Sequence, residues 1–446
     1  MNNYKEFFKD KKITVMGLGL LGRGVGDALF LAECGADLII TDLKPLTALK
    51  PSLLKLRKYK NIKYTLGKHD LRDFKNRDMI FKSAGVPLDS TYIKEARKNK
   101  IPIEMDVSLF SKLAPGVMII GVTGTRGKSM TTALIYEILK QNEGFLKRHV
   151  YIGGNVRGVV TLPLLKKIKT NDILVCELDS WQLQGFDDDK MSPHISVFTS
   201  FMPDHMNYYK NNMKDYFADK ANIFKYQKTG DILIIRPDMR ELISRNIKSK
   251  LIVVNAENVR KYKFTVPGKH QKENLACAVA VARVFSIPEK NIKKSVKNFR
   301  GLEGRLQYLK TIKGIKIYND NNATTPEATI AGIRALEEEN KRGKIILISG
   351  GSDKNLDLDL YVNIVNIFCK TIILIPGTGT KKLLENYKFK IPNEKAKDMK
   401  SAIQKALKYG RKGDTILFSP AFASFGQFNN EYERNDLFIK IVKSLR

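Results

Sequence analysis

The segment from Gly124 to Ser129 reads Gly-Thr-Arg-Gly-Lys-Ser and lies between an apolar run, MIIGV, and a helical run, SMTTALIYEIL. A glycine-rich turn between a strand and a helix presents backbone N–H groups to phosphate. Its lysine reaches the β and γ oxygens, and its serine hydroxyl can ligate Mg²⁺. Val122 stands where the strict pattern has its first glycine, which leaves chance as the alternative. We predict that ATP or GTP is bound by Gly124, Thr125, Arg126, Gly127, Lys128 and Ser129.

A second glycine-rich loop, Met16–Gly22, follows another apolar run and precedes another helical one, and Asp42 ends the next strand-like run. This spacing is that of a dinucleotide-binding fingerprint, in which glycines permit a tight turn and a helix N-terminus faces phosphate. The pattern alone leaves three interpretations open: an NAD enzyme, a protein for another nucleotide, and plain helix–strand packing.

Four further residues have chemically useful side chains, but each also has an ordinary explanation. Glu177 ends the apolar run ILVCEL, where a carboxylate is either a metal ligand or a surface charge. An isolated histidine such as His205 is more often structural. Lys220, in a chain this rich in lysine, is by itself a solvated helix residue. Arg305 is an ordinary surface cation or a bidentate phosphate ligand.

The elements that must position these residues alternate along the chain. Apolar runs that end in Gly, Asp, Ser or Pro alternate with amphipathic helical stretches, which predicts parallel α/β sheets with loops of functional residues at the carboxyl ends of strands. The runs predicted as strands are ITVMG, ADLIITD, DMIFKSAG, MIIGVTG, DILVCELD, ISVFTS, DILIIRPD, GIKIYND, KIILISGG, TIILIPG and TILFSPA. Boundaries near Pro115 and at 299–303 predict three domains, 1–115, 116–300 and 301–446.

Composition narrows the class of protein. The chain has 446 residues, 43% of them hydrophobic and 28% charged, which excludes disordered and collagenous proteins. No apolar run approaches the length of a membrane span, and the polar N-terminus is not a secretory signal. Four widely separated cysteines favour buried, reduced thiols and a cytoplasmic location. The net charge of +32 is spread along the chain, which indicates a solvated basic surface rather than a nucleic-acid site.

A set of motifs runs through the chain in a fixed order. They are GLGLLG at 17–22, GTRGKS at 124–129, GGN at 153–155, CELDSWQL at 176–183, PDHMNYY at 203–209, DYFADKANIF at 215–224, GKHQKEN at 268–274, GLEGR at 301–305, YNDNNATTPEAT at 318–329, GGSDK at 350–354 and SPAFASFGQF at 419–428. Together they resemble the Mur ligase family, ATP-dependent amide-forming enzymes of peptidoglycan precursor synthesis. The first and last motifs are most similar to members that join D-glutamate to UDP-N-acetylmuramoyl-L-alanine.

The resemblance implies a fold and a reaction. The fold has a Rossmann-like amino-terminal domain for the UDP substrate, a central P-loop ATPase-like domain with a mostly parallel sheet, and a Rossmann-like carboxyl-terminal domain for the amino acid. In the reaction, ATP phosphorylates the substrate carboxylate, and the amine displaces phosphate from the acyl phosphate. Catalysis of this kind depends on charge neutralisation and positioning.

The resemblance also implies roles for single residues. The catalytic residues that it implies are Lys128, Glu177, His205 and Lys220, the last as a carbamate formed with CO₂. Two Mg²⁺ ions would be held by Ser129, Glu177, His205 and Lys220. The remaining contacts to ATP would come from Asn155, Asn274, Arg305 and Asp320. The UDP substrate would be recognised by Leu20, Asp42, Ser83 and Gly85. The acceptor amino acid would be surrounded by Thr324, Lys354, Ser424 and Phe425.

Three departures from the family pattern bear on substrates. Leu21 stands where a hydroxyl residue near uracil is frequent, Asn322 where lysine is frequent, and Glu431 where an aromatic residue is frequent. We expect D-glutamate as the acceptor and a monomeric enzyme with no membrane or specific nucleic-acid partner. The alternatives are another Mur-type ligase with a different amino acid, an NAD-dependent dehydrogenase, and a basic nucleic-acid-binding ATPase.

Overall fold

The computed structural model of the chain describes residues 3–20, 22–243, 247–339 and 344–445. Leu21, expected near uracil, lies outside these residues. The chain forms two compact units, one of residues 1–260 with 273–295 and the other of 261–272 with 296–446. Among the described residues, no helix combines the length and the apolar character that a membrane crossing needs.

The first sheet is parallel and, in the described residues, has the strand order β3-β2-β1-β4-β5. Its strands are β1 Lys12–Met16, β2 Asp37–Asp42, β3 Ile62–Leu66, β4 Met79–Lys82 and β5 Ile103–Glu104. The helices are α1 Tyr4–Phe8, α2 Arg23–Glu33, α3 Leu46–Leu56, α4 Thr91–Lys98 and α5 Asp106–Leu113, with a 3₁₀ turn at Leu71–Phe74. The strand order reverses between β1 and β4, so the loops that follow these two strands border a crevice at their carboxyl ends.

The second sheet is also parallel, in the order β11-β10-β9-β6-β8-β7. Its strands are β6 Met118–Thr123, β7 Val150–Gly154, β8 Ile173–Glu177, β9 Ile195–Phe198, β10 Ile232–Ile235 and β11 Lys250–Val253. The helices are α6 Lys128–Lys140, α7 Glu143–Leu146, α8 Ser180–Asp188, α9 Met213–Lys225, α10 Lys269–Val284 and α11 Glu289–Asn298. The 3₁₀ helices are Leu162–Lys166, Pro237–Leu242 and Ala256–Val259. One apolar core connects the first sheet with the second, and it includes Phe110, Leu113, Leu165 and Phe186.

The third sheet has the order β12-β13-β17-β14-β15-β16 and is parallel except for the antiparallel pair β12–β13. Its strands are β12 Gln307–Ile312, β13 Ile315–Asn319, β14 Ile345–Gly350, β15 Cys369–Ile375, β16 Asn393–Lys395 and β17 Thr415–Phe418. The helices are α12 Pro326–Glu339, α13 Asp359–Phe368, α14 Thr378–Asn386, α15 Met399–Tyr409 and α16 Glu431–Ser444. Buried aliphatic residues cover both faces of this sheet, as a sheet between two helical layers requires.

The α/β class predicted from the sequence is confirmed, and each apolar run predicted as a strand contains one. Within the described ranges, the strands that the sequence did not predict are the edge strands of the three sheets, namely β3, β5, β7, β11, β12 and β16. Edge strands have one neighbour. Four of these six carry exposed residues, β5 has only two residues and β7 ends in two glycines, all of which weaken the apolar signal. The domain boundaries at 115 and 300 stay a prediction.

Candidate active site

The predicted phosphate loop connects β6 to α6 and is shaped by two glycines. Gly124 has φ +144° and Gly127 has φ +89°. A Cβ on Gly124 would lie 2.1 Å from Thr199 Oγ1, and a Cβ on Gly127 would lie 2.4 Å from Asn274 Oδ1. Neither position therefore accepts a side chain. The tight turn leads directly into the N-terminus of α6, where the helix dipole favours an anion.

The residues after β9 hold this loop in place. The Thr125 backbone N–H donates to the Ser200 carbonyl over 2.8 Å, and the Arg126 N–H donates to Ser200 Oγ over 2.9 Å. The Thr125 hydroxyl lies 3.1 Å from the Met202 carbonyl oxygen. The loop is thus fixed against the sheet before any ligand binds, which reduces the entropy that binding must remove.

Lys128 and Lys220 meet at this loop. Lys128 Nζ donates to Gly124 O over 2.9 Å and to Thr125 O over 3.2 Å. Lys220 Nζ, from α9, donates to the same Gly124 oxygen over 3.0 Å. Lys220 is only 1% exposed, and its Nζ lies 4.9 Å from the centre of the Tyr216 ring. Burial, and then the charge of Lys128, lowers the pKa of Lys220 to about 7.

Glu177 and Asn155 lie together at the ends of neighbouring strands. Glu177 ends β8 and is buried. Its carbonyl accepts the Asn155 N–H over 2.8 Å, just after the end of β7. A Cβ on Gly154 would lie 2.1 Å from that carbonyl oxygen, so the middle residue of the segment 153–155 must be glycine.

His205 is held by aromatic packing. Its backbone has φ +55°, and its ring lies 4.8 Å from the Trp181 ring and 6.4 Å from the Tyr216 ring, centre to centre. Tyr216 in turn places its hydroxyl 3.3 Å from Thr125 Oγ1. Burial lowers the pKa of His205 despite the opposing charge of Asp204. The imidazole is therefore neutral near pH 7, the form in which it binds metals.

The crevice between β1 and β4 contains the four residues predicted for the UDP substrate. Asp42 accepts the N–H groups of Gly19 and Lys44, each over 2.9 Å. The Ser83 hydroxyl donates to the Gly17 carbonyl. The side chains of Asp42 and Ser83 thus stabilise the loops of this crevice through hydrogen bonds to the backbone. Leu20 is 56% exposed, and a Cβ on Gly85 would meet open space, so these two residues are accessible to a ligand.

Lys82, at the end of β4, was not predicted from the sequence. It is buried, and its Nζ donates to the Val86 carbonyl over 3.0 Å. Burial lowers the pKa of Lys82 to about 8. The ammonium group fixes the turn of residues 83–86, which carries Ser83 and Gly85. A lysine at the end of a strand has no sequence signal that separates it from a surface cation.

In the second unit, the four residues predicted for the acceptor line one cavity of about 290 Å³. Lys354 Nζ donates to Thr324 Oγ1 over 3.1 Å. Ser424 is buried, whereas Phe425 is 62% exposed at the rim. The full lining is Arg305, Asn322, Thr324, Lys354, Ala423, Ser424, Phe425, Glu431 and Tyr432. Arg305 and the two departures, Asn322 and Glu431, therefore share a cavity with the predicted acceptor residues.

Asp320, predicted to lie near ATP, is buried beside this cavity and does not line it. Its Oδ1 accepts the Leu306 N–H over 3.0 Å, and its Oδ2 accepts the Ser419 hydroxyl over 2.9 Å. Burial raises the pKa of Asp320 to about 7. In this arrangement the carboxylate fixes the backbone next to Arg305.

Comparisons with known proteins agree along the whole chain. Residues 122–259 match the Mur ligase middle domain, and residues 304–422 match the Mur ligase glutamate ligase domain. The UDP-N-acetylmuramoylalanine–D-glutamate ligase of Borreliella burgdorferi is 36% identical, with 98% of each chain covered. The ligase of the same name from Acetivibrio thermocellus is 31% identical, with 100% of this chain and 99% of that protein covered.

This chain is a Mur ligase. Solved structures agree on the fold of the ligase. The UDP-N-acetylmuramate–alanine ligase MurC of Thermotoga maritima has a TM-score of 0.62 at 19% identity, and the alignment covers 97% of this chain and 99% of that one. The MurF ligase of the same organism, solved in complex with ADP, has a TM-score of 0.57 at 16% identity, with 91% and 95% covered. These matches confirm the three-domain Mur ligase fold.

Proposed function

We propose that this Mur ligase joins D-glutamate to UDP-N-acetylmuramoyl-L-alanine and converts ATP to ADP and phosphate. The observation that carries the proposal is the cavity where Lys354 and Thr324 are hydrogen-bonded beside Ser424. An ammonium group and two hydroxyls are donors for carboxylates. D-Glutamate has two carboxylates, and full-length relatives named for this acceptor support the choice.

ATP would bind at the N-terminus of α6. Backbone N–H groups of the loop 124–129 would face the phosphates, and Asn274 lies against Gly127. Lys128 now donates to carbonyls of its own loop, and we infer that it exchanges these for the β and γ oxygens when ATP binds. Asn155 and Arg305 would provide further contacts to the nucleotide. Neutralising these oxygens lets a substrate carboxylate attack the γ-phosphorus while ADP leaves.

We propose that two Mg²⁺ ions are held by Ser129, Glu177, His205 and Lys220. Among the described residues, no group of three or more His, Cys, Asp or Glu converges on one point, so the set needs another anionic ligand. Lys220 fits this requirement because, in the described part of the chain, no carboxylate lies within ion-pairing distance of its buried amine. A neutral amine adds CO₂ and becomes a carbamate, which is an oxygen ligand. Bound Mg²⁺ would polarise the phosphoryl oxygens as a Lewis acid.

The UDP part of the substrate would occupy the crevice between β1 and β4. The N-terminus of α2 follows Gly22, and it would face the pyrophosphate. Leu20 and Gly85, which are open to solvent, would contact the nucleoside, while Asp42 and Ser83 hold the loops in shape. The first glycine-rich loop would thus serve uridine diphosphate rather than NAD.

The second half of the reaction forms the amide. The amine nitrogen of D-glutamate attacks the acyl carbon, the C–O bond to phosphate breaks, and the nitrogen loses a proton. Lys354, Thr324 and Ser424 would hold the acceptor carboxylates, and Phe425 would cover the cavity rim. We place the reaction in the cytoplasm, a choice supported by four buried cysteines that form no disulfide.

The experiment that tests this proposal is phosphate release with ATP, UDP-N-acetylmuramoyl-L-alanine and a panel of amino acids. We expect D-glutamate to give the fastest release. Faster release with L-alanine, a diamino acid or a dipeptide would assign a different acceptor to the same ligase chemistry. Release that needs polynucleotide instead of the UDP substrate would favour the nucleic-acid-binding ATPase.

A further inference from the structure

We propose that Arg434 is a positioning residue whose buried charge sets the positive potential of the acceptor cavity, and so selects an acceptor with an anionic side chain. This inference rests on the proposed function, since it concerns the same cavity. Arg434 lies in the first turns of α16, and it was not predicted from the sequence.

Arg434 is the largest fully buried side chain in the described residues, with 0% exposure. Its Nε donates to Asn321 Oδ1 over 2.8 Å, and its Nη2 donates to the Asn321 carbonyl over 3.0 Å. Its Nη1 donates to the Phe422 carbonyl over 3.2 Å. The guanidinium also lies 6.0 Å from the centre of the Phe418 ring. Each of these acceptors and the ring is neutral.

These bonds connect the two loops that form the cavity. Asn321 follows β13 and directly precedes Asn322, which lines the cavity two residues before Thr324. Phe422 follows β17 and directly precedes Ala423 and Ser424, which line the same cavity. Because β13 and β17 are parallel neighbours, their ends meet at one edge of the sheet. Arg434 therefore connects the loop after β13 with the loop after β17 through its hydrogen bonds to Asn321 and Phe422.

The charge of Arg434 has no close counterion. No carboxylate lies within ion-pairing distance of it in the described part of the second unit, although Glu431 on the same helix interacts with it over a longer range. Burial lowers the pKa of Arg434 to about 10, so the group stays cationic at neutral pH. A buried, unneutralised charge acts over a longer distance than a solvated one.

This charge explains how the cavity can prefer an acid despite its departures from the family pattern. Asn322 brings no positive charge, and Glu431 brings a negative one. Arg434 sits three residues from Glu431 in α16, and its charge offsets that of the carboxylate. Together with Lys354 it leaves a cavity that attracts anions.

The test compares Arg434→Gln, which removes the charge, with Arg434→Lys, which keeps it. The readouts are the KM values for D-glutamate, for its uncharged isostere D-glutamine, and for ATP. One charge at this range should change the KM for D-glutamate about tenfold. We expect Arg434→Gln to raise the KM for D-glutamate, while the KM values for D-glutamine and ATP change little. Arg434→Lys should retain most of the wild-type preference for D-glutamate over D-glutamine.

A purely structural role predicts a different pattern. In that case both substitutions raise the KM values for D-glutamate and D-glutamine in parallel with a loss of thermal stability, which would overturn the proposal. An unchanged KM for D-glutamate in a folded Arg434→Gln variant would overturn it as well. If wild-type enzyme uses neither acceptor, the proposed function fails instead.

A second variant decides the matter if Arg434→Gln does not fold. Asn321→Asp places a carboxylate on the oxygen that already accepts from Arg434 Nε, so it neutralises the charge in place. The substitution also removes the bonds that Asn321 Nδ2 donates to Asn322 Oδ1 and to the Glu431 carbonyl. We therefore expect a lower melting temperature, with the KM for D-glutamate raised more than the KM for D-glutamine. The control is Asn386→Asp, which adds the same charge at the exposed end of α14 and should leave the KM unchanged. Equal KM values in these two variants would contradict the role of Arg434.

Discussion

The amino groups of Lys128 and Lys220 donate to a single carbonyl oxygen, that of Gly124, over 2.9 and 3.0 Å. Two ammonium groups on one carbonyl repel each other, and Lys220 is also removed from water. Burial and this repulsion lower the pKa of Lys220 to about 7. Around neutral pH a large fraction of this amine is therefore unprotonated, which is the form that reacts with CO₂.

The first prediction is that Lys220→Ala is almost inactive. Its matched control, Lys228→Ala, removes an exposed lysine just after the same helix and should leave turnover unchanged. With carbon-13-labelled CO₂, NMR should show a carbamate signal in wild type and in the control but not in Lys220→Ala.

The pH dependence of this site has a definite sign. Below about pH 7 the Lys220 amine is protonated, so at limiting CO₂ turnover should fall as the pH is lowered, and added bicarbonate should restore it. Full activity in CO₂-free buffer, with a bare ammonium at Lys220, would rule out the carbamate.

The second prediction concerns Lys128. Lys128→Ala should lower phosphate release by about 10²–10³-fold, because it deletes a charge that stabilises the transferring phosphoryl group. The Gly124 carbonyl keeps its bond from Lys220, so the melting temperature should hardly change. Lys140→Ala, at the opposite end of α6, is the control. Near-normal phosphate release by folded Lys128→Ala would contradict the phosphate-loop assignment.

The third prediction uses Trp181, the only tryptophan of the chain, which lies 4.8 Å from the His205 ring. A cation bound to the imidazole changes the electric field at the neighbouring indole, so Mg²⁺ with ATP should change the tryptophan fluorescence. The same addition to His205→Ala should give a much smaller change. An equal fluorescence change in both proteins would show that His205 does not bind the metal.

Trp181→Phe provides a further check on that site. Trp181 Nε1 is buried and has no hydrogen-bond partner in the described residues, so a phenyl ring loses no hydrogen bond there. Turnover should remain close to that of wild type. A large loss of activity would mean that the indole N–H binds a ligand.

The interior of each sheet was predictable from the sequence, while the edges were not. β8, Ile173–Glu177, is buried along its whole length. Its sequence is therefore an apolar run that predicts a strand without further information. The edge strand β16 has the sequence Asn-Glu-Lys and is partly exposed. These three polar residues give no indication of a strand. Its pairing with β15 depends on the rest of the sheet, which no local pattern contains.

Some residues of the candidate site could likewise be predicted from the sequence, and others could not. The loop 124–129 needs particular residue types at fixed spacing, so the sequence alone identifies it. Lys220 could be found only through the family resemblance, because its burial depends on α9 packing against the loop. Lys82 and Arg434 were not found at all. Lysine and arginine are ordinarily exposed, and long-range packing alone decides that these two are buried.

The fourth prediction concerns Asp320, whose pKa burial raises to about 7. A folded-state pKa above the unfolded value of 3.8 means that the folded protein binds the proton more tightly. Stability attributable to this group is therefore fully present below about pH 3.8, decreases as the unfolded carboxyl ionises, and is lost once the pH has risen through about 7. Asp320→Asn can keep both hydrogen bonds without a charge.

Thermal unfolding checks this directly. The melting temperature of Asp320→Asn should exceed that of wild type at pH 5.5 and exceed it by a larger margin at pH 8.5, the two test conditions. A difference between the two proteins that does not change with pH would contradict the buried, titrating carboxylate.

The central claim is that a carboxylate of the UDP substrate is activated by ATP and then captured by D-glutamate. It is tested most directly with UDP-N-acetylmuramoyl-L-alanine labelled with oxygen-18 in its carboxylate. We predict that, with ATP and D-glutamate, one labelled oxygen appears in each inorganic phosphate released and the glutamyl amide is the other product. Phosphate without the label, or labelled phosphate with an amino acid other than D-glutamate in the product, would contradict the claim.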